Sequence, residues 1–447
     1  MKNKNIQQII VSLAIVVSIS INIAIHPVAT AAEQDDLRTA TAWFNLYLYL
    51  IQQTEGFTPP VAARALGYAG VTLYEAVVPG MPDHQSLVGQ LNELTALPQP
   101  ATDQSYLWPA VANSALAALA RELFFNTARE NEALIDALEQ QLATKLQAEA
   151  DPATLTRSAD YGRTLAQAIY TWSMNDGGHR GQLKNFPLDY QPANGAGVWQ
   201  PTPPKFSTVP LQPYWGDNRP FALKSNGVCE PSPPPPYSAE KNSVFYQQAV
   251  EVYNTVRQLT PEQQTIALFW ADDPGRTVTP PGHSIALTTQ ILREQNASLT
   301  VAAEAYAKVG IAVADAFIGC WRTKYKYSVV RPITYIQQVI DPTWNHPDLT
   351  DPVTTPPFPE YTSGHSVQSG ATAVVLSALF GENYVITDHT QDHRGFLPRS
   401  FDSFAALAQE AAISRLYGGI HYRAAIEAGL TQGHCIGKQV LALRFKK

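Results

Sequence analysis

The sequence predicts an all-α protein made of two packed helical bundles joined by a long Pro-rich loop. Three features of its 447 residues carry that reading. Apolar residues recur at three- and four-residue spacing along most of the chain. In "NEALIDALEQQLATKLQAEA", for example, Leu134, Ile135, Leu138, Leu142 and Leu146 form one stripe between Glu and Gln. Alternating runs bounded by hairpin turns are scarce. One stretch, Gly195 to Ser238, breaks the rhythm with clustered prolines and no period.

The elements follow in order. Lys2 and Lys4, a mostly apolar run over 9–25 and the small residues Ala29-Thr30-Ala31 read as a secretory signal peptide over 1–31. The mature protein is therefore expected to be exported, periplasmic or extracellular. An N-terminal helical half over 32–194 carries stripes at 38–53, 62–79, 108–127 and 158–175, besides the stretch quoted above. The loop over 195–238 comes next. A C-terminal helical half over 239–447 has stripes at 240–258, 261–271, 283–294, 299–321, 366–380, 403–417 and 424–443.

Composition narrows the function. Apolar residues at 45% and charged residues at 15% support a large core and argue against disorder. A net charge of −7 argues against a nucleic-acid partner, so any anion must be held by locally placed cations. Beyond the leader no run of 18 apolar residues occurs, and no membrane partner is expected once the signal is removed. Cys229, Cys320 and Cys435 allow one disulfide and one free thiol, with the pairing open. Cys320, on a helical pattern, reads as a small buried hydrophobe.

Three segments carry chemistry. In "YTSGHSVQSGATAVVLSALFG", Ser363-Gly364-His365 opens a helix, with Thr362 or Ser363 as cap and Gly381 as stop. Helix N-termini leave N–H groups free for anions, and Gly364 lets a ligand approach the backbone. In "CWRTKYKYSVVRP", Lys324 and Arg331 stand seven apart, which on one helix gives a shared face about 10 Å apart along the axis, with the helix ending just before Arg331 at Pro332. In "AAISRLYGGIHYR", a turn at Gly418-Gly419 separates Arg415 from His421 and redirects the chain. Lys324, Arg331 and Arg415 together would each contribute roughly 4 kcal/mol of gross attraction to an anion at ~4 Å, and would repel a divalent cation.

The order Lys-x6-Arg-Pro, Ser-Gly-His and Ser-Arg-x5-His over 321–421 resembles the superfamily of vanadium-dependent haloperoxidases and type-2 phosphatidic acid phosphatases, in its soluble bacterial haloperoxidase branch. Thr362 departs from the proline usual before Ser-Gly-His, but threonine still suits a helix cap. The resemblance implies a vanadium chloroperoxidase-like or acid phosphatase-like helical fold. It implies vanadate as cofactor, with phosphate able to take the same place. Lys324, Arg331, Ser363, Gly364 and Arg415 would bind its oxygens. His421 would bond to vanadium, or attack phosphorus in a phosphatase, and His365 would be the acid–base partner. Hydrogen peroxide and halide would be the substrates, with Lys324 polarising the bound peroxide. The alternative is an exported soluble acid phosphatase working through a phosphohistidine.

Two aromatic residues favour the first branch. Trp321, three before Lys324, and Phe358, seven before His365, resemble the halide-pocket positions of haloperoxidases, where phenylalanine is the chloroperoxidase-like residue. Iodide, the easiest halide to oxidise, and bromide are the expected substrates. "LFWADDPGRTVTPPGHSIAL" resembles the stretch that supplies an acidic partner to the site, which makes Asp273, or else Asp272, the candidate to orient Arg415 or His365. Elsewhere "DHTQDH" places His389 and His393 beside Asp388 and Asp392. That would make a metal pair on a helix, but the stretch has no apolar stripe and reads as a loop. His179 and His283 read as structural.

Overall fold

The computed structural model describes residues 31–224, 226–344 and 353–447; residues 1–30 of the expected leader lie outside that range. The fold is all-α, in packed helical bundles. In the N-terminal part, α1 (Ala31–Gln53), α2 (Pro59–Val77), α3 (Trp108–Leu123), α4 (Arg129–Leu146) and α5 (Pro152–Ser173) follow one another. The C-terminal part holds α6 (Val244–Arg257), α7 (Pro261–Phe269), α8 (Thr279–Glu294), α9 (Leu299–Tyr327) and α10 (Pro332–Val339). After these come α11 (Gly364–Phe380), α12 (Phe404–Tyr417) and α13 (Arg423–Leu441). A short antiparallel ribbon pairs Ile386–Asp388 with Arg399–Phe401.

Local chemistry sets the helix starts. Proline occupies one of the first two positions of α2, α3, α5, α7, α8 and α10, where its missing N–H costs nothing. Asp151 caps α5 through Ala153 N and Thr154 N, which starts that helix earlier than its apolar stripe. Thr260 and Gln263 form a reciprocal capping box on α7. The helix through Lys324 differs from expectation. α9 runs on to Tyr327 and stops where Ser328 turns left-handed at φ 46°. Arg331 then stands at the N-cap position of α10, an element the periodicity does not reveal, and makes no side-chain cap bond. Lys324 and Arg331 therefore do not share one helical face; a turn separates them.

α9 is the axis of the molecule, buried along most of its length. It crosses α2 where Gly70 lies against Tyr306 and Gly310 against Leu66. A Cβ would stand 2.4 Å from the Tyr306 carbonyl oxygen or 2.6 Å from that of Leu66, so glycine permits the approach. One core runs from Leu37 to Phe445 through both parts of the chain.

The described residues of the Pro-rich stretch are tied to this core. Asp315 of α9, wholly buried, accepts the backbone N–H groups of Phe221, Ala222 and Leu223 at 2.6, 2.8 and 3.0 Å. Trp199 N donates to Ser328 O at 2.7 Å, and Val330 N to Gly197 O at 2.9 Å. A disulfide joins Cys229 to Cys435 of α13, which resolves the open pairing and leaves Cys320 a buried thiol. Among the described residues no helix is long and apolar enough to cross a membrane.

Candidate active site

The segment 353–365, the end of α9, the start of α10 and the α12–α13 turn converge beside a cavity of about 710 Å³. Gly364, His365, Arg415 and His421 face it, with Trp321 and Phe358 in its side wall. Lys324, Arg331 and Ser363 sit behind that surface, each wholly buried.

α11 points its N-terminus at this point. Ser363 caps it, its hydroxyl accepting from Ser366 N, and its own N–H is tied to Ala425 O at 3.0 Å. A Cβ on Gly364 would meet nothing nearer than the rings of Phe317 and Trp321 at 3.8 Å, so the first turn opens toward the cavity. Thr362 Oγ1, where the family has proline, donates to Gln432 Oε1 at 2.7 Å, which ties this segment to α13.

His421 reaches the site because α12 ends at Gly418 and Gly419 turns the chain at φ 70°. Its Nδ1 lies 2.8 Å from Glu360 Oε1, and its Nε2 lies 3.3 Å from Arg331 Nη1. A guanidinium can only donate, so Nε2 is the acceptor and Nδ1 carries the proton. Burial, then the charges of Arg331 and Lys324, hold this imidazole well below its ordinary pKa. His365 is arranged in parallel. Its ring is hydrogen-bonded to the Trp270 backbone carbonyl, while Nε2 has no partner among the described residues. Burial, then Arg415, bring its pKa down to about 3. Both imidazoles are therefore neutral near neutral pH; the Nε2 lone pair of His365 is unpartnered, and that of His421 accepts from Arg331.

The cations are less alike than their spacing implied. Arg331 donates from Nε to Phe358 O at 2.8 Å and from Nη1 to Ile420 O at 2.9 Å, while Nη2 is buried without a partner. Arg415 donates from Nη2 to Ala267 O at 2.7 Å and from Nε to Ser414 Oγ at 2.9 Å. Burial lowers both guanidinium pKa values to about 10. Lys324 spends its three donors on the carbonyls of Pro359, Glu360 and Thr362, and so braces the segment leading to Ser363. Burial draws its pKa down to about 7. Phe358 lies under both cations, 4.8 Å from Arg331 Cζ and 5.1 Å from Lys324 Nζ, and 4.9 Å from the Trp321 ring.

Glu360 is a residue of the site that the sequence reading passed over. It is 1% exposed, accepts from His421 Nδ1 and from Tyr422 N at 2.9 Å, and burial raises its pKa to about 7. Its signal was available: a carboxylate in the apolar run "PPFPEYT" needs a partner. Neither Asp272 nor Asp273 is hydrogen-bonded to His365 or Arg415 among the described residues. Asp273 lines the cavity and acts on Arg415 through charge, its own pKa raised to about 6 by burial. Asp272 instead pairs at 2.8 Å with His283, whose other nitrogen is 2.8 Å from Asp388. This buried cluster, stacked on Trp270, joins the cavity wall to the ribbon. In "DHTQDH", then, Asp388 turns inward to His283, and His389 pairs with Asp392 at the surface. His179 packs edge-on against Tyr170.

The donor set fits a tetrahedral oxyanion such as vanadate or phosphate. Arg331 Nη2 is a buried donor without a partner, and an unpaired buried charge is costly until an anion meets it. Among the described residues no cluster of three His, Cys, Asp or Glu side chains offers a cage to a metal cation.

Comparison with known proteins agrees. Residues 304–446 match the VCPO second helical-bundle domain. Vanadium chloroperoxidase of Curvularia inaequalis is 27% identical over 220 residues, which span 37% of this chain and 36% of that protein. The crystal structure described as the first bacterial vanadium-dependent iodoperoxidase is 38% identical, with a TM-score of 0.82 over 92% of this chain and 97% of that one. A holo-type bacterial vanadium-dependent chloroperoxidase, 15% identical, shares the fold at a TM-score of 0.66 over 87% of this chain and 92% of its own. By its fold, its motifs and these likenesses, the chain belongs to the vanadium haloperoxidase family, within the superfamily that also holds the type-2 phosphatidic acid phosphatases.

Proposed function

We propose that this is an exported, vanadate-dependent haloperoxidase that uses hydrogen peroxide to oxidise halide, iodide or bromide, to hypohalous acid. The observation that carries the reading is the pair of neutral imidazoles offering Nε2 beside a buried guanidinium nitrogen that lacks a partner. The 38% identical iodoperoxidase favours iodide. The leader in the sequence and the Cys229–Cys435 disulfide favour an oxidising compartment.

Arg331, Arg415, Ser363, the Gly364 N–H and Lys324 would hold vanadate, and His421 Nε2 would be the ligand of vanadium in place of its hydrogen bond from Arg331 Nη1. Lys324 would do so by exchanging one of its carbonyl partners for an anion oxygen. Bound there, vanadate would supply Lewis-acid activation of hydrogen peroxide toward halide. The chain's own residues do the rest. Glu360 and Arg331 fix the His421 tautomer from its two sides. His365, neutral down to low pH, takes a proton from incoming peroxide at Nε2. Trp321 and Phe358 give the halide a weakly hydrating wall.

The test uses the full chain with and without added vanadate. Triiodide should form from iodide and peroxide only with vanadate, and phosphate should suppress it. Hydrolysis of p-nitrophenyl phosphate, inhibited by vanadate and unaccompanied by iodide oxidation, would establish the phosphatase reading instead.

A further inference from the structure

Behind the Trp270 carbonyl that holds His365 lies a buried polar group to which the proposed reaction gives no part. Asp272, His283, Asp388 and Gln391 are each at most 3% exposed. They come from separate places: the turn after α7, the start of α8, and the end of the first ribbon strand with the turn that follows it.

Hydrogen bonding fixes the charge of this group. His283 Nδ1 lies 2.8 Å from Asp272 Oδ2, and Nε2 lies 2.8 Å from Asp388 Oδ2. An ionised carboxylate only accepts, so a ring between two of them donates from both nitrogens and is an imidazolium. The remaining carboxylate oxygens are also occupied. Gln391 Nε2 donates to Asp272 Oδ1, and Thr390 N to Asp388 Oδ1, each at 2.8 Å. Burial opposes the charge on the ring, but Asp272 and Asp388 outweigh it and lift the His283 pKa to about 10. Burial likewise opposes the charge on the carboxylates, and His283 outweighs it there, holding both below their ordinary range.

This group bears on the site through one short segment, 270–273. Trp270 stacks its indole on the His283 ring, with centroids 4.7 Å apart and planes 13° from parallel, and donates from Nε1 to Glu410 of α12 at 3.0 Å. A side chain gripped at both its face and its edge leaves the backbone little freedom, and the carbonyl of this residue is the one bonded to the His365 ring. Two residues on, Asp272 adopts the left-handed φ of 48°, uncommon for a residue with a side chain, and the bonds to its carboxylate hold it there. That turn sends neighbouring carboxylates to different tasks. Asp272 goes to His283, while Asp273 lines the cavity and acts on Arg415.

We infer that His283 is a positioning residue: clamped as an imidazolium between Asp272 and Asp388, it fixes the 270–273 segment so that the Trp270 carbonyl holds His365 in one tautomer, with Nε2 turned to the oxyanion site. The inference rests on the haloperoxidase reading where it concerns turnover. The orientation of the ring is a property of the chain alone.

Nitrogen-15 spectra of the vanadate-free full chain test it without any reaction. At pH 8 His283 should show the shifts of a doubly protonated ring, and His365 those of a single neutral tautomer. His283→Phe keeps a flat ring against Trp270 but donates nothing to the two carboxylates. In that variant His365 should show mixed tautomers. With vanadate, iodide and peroxide, its kcat should fall about 10–100-fold, while the KM for iodide and the vanadate affinity stay within a few-fold of wild type. Added to His365→Ala, the same change should cost less than about twofold more, because the ring through which it acts is already gone. Asp388→Asn, a milder change that loosens one side of the clamp, should give a smaller loss of the same kind, and the wild-type spectra need no variant to fold. A neutral His283 at pH 8, mixed tautomers of His365 in wild type, unaltered His365 shifts in a folded His283→Phe, or a full additional loss on top of His365→Ala each overturns the inference. Absence of triiodide from the vanadate-loaded wild type sinks the haloperoxidase reading instead, and the spectra still decide the positioning.

Discussion

His365 and His421 turn the same nitrogen toward one cavity, but different groups hold them from behind. The Trp270 backbone carbonyl bonds the ring of His365, and the Glu360 carboxylate bonds Nδ1 of His421. A neutral carbonyl sets a ring's orientation and leaves it able to gain and lose a proton at the far nitrogen. A carboxylate does more: it pushes electron density into the ring and makes Nε2 a stronger donor to an electrophile. Arg331, 3.3 Å from His421 Nε2, adds a positive group that keeps a proton away from that nitrogen. One imidazole is thus equipped for proton transfer and the other for bonding.

Truncating each ring gives the largest contrast. His421→Ala should lose vanadate affinity together with turnover, with iodide oxidation falling at least about 10⁴-fold. His365→Ala should lower kcat by about 10²–10⁴-fold while vanadate affinity stays within a few-fold of wild type. Vanadate titrations monitored by triiodide formation report both quantities. Equal losses of affinity in the two variants would break the division of labour.

A smaller change at Glu360 sharpens it. Gln keeps the size but can turn its amide to donate to Nδ1, which permits the other tautomer and removes the charge. Glu360→Gln should weaken vanadate binding by about 10–100-fold, and Glu360→Asp should fall between it and wild type. The ¹⁵N shifts of His421 should reveal mixed tautomers in Glu360→Gln. Unchanged shifts would mean that Arg331 alone sets the proton's place.

How far the sequence foretold this depends on distance along the chain. Helical stripes are local, so α3, α9 and α11 could be read from three- and four-residue spacing. That Lys324, Arg331, Ser363-Gly364-His365, Arg415 and His421 come together was legible through their fixed order. What sits behind the imidazoles was not: the apolar run around Glu360 signals that the carboxylate needs a partner, but not that the partner is His421, 61 residues away. The Cys229–Cys435 pair, 206 residues apart, was open for the same reason. The misplacement of Lys324 and Arg331 on one helix has a local cause. Seven-residue spacing fits a helix, but Ser328 adopts a left-handed turn that a non-glycine residue rarely takes. Lys324, on α9 ahead of that turn, faces the carbonyls of Pro359, Glu360 and Thr362 and not open space.

Acid stability gives the gentlest test of the same comparison. In the unfolded chain an imidazole titrates near its ordinary value of 6.5, whereas the folded environment holds His365 at about 3. Between those values the unfolded chain binds a proton that the folded one refuses. The stability contributed by keeping His365 neutral is therefore full above 6.5 and is lost as pH falls toward 3. From pH 7 to pH 5 the loss from this one group is about 2 kcal/mol. His421 acts in the same direction, but its partner opposes it. Glu360, raised to about 7, takes up a proton in the folded state between about 7 and 4.5, so its contribution grows as pH falls through that window. His365 has no such compensating carboxylate bonded to it. Urea unfolding at pH 7 and pH 5 should therefore show a flatter pH dependence in His365→Asn than in wild type. In His421→Asn the change should be smaller, because Glu360 loses its imidazole partner at the same time. If His365→Asn keeps the wild-type pH slope, the ring is not held neutral by its surroundings, and the contrast between the two imidazoles loses its electrostatic half.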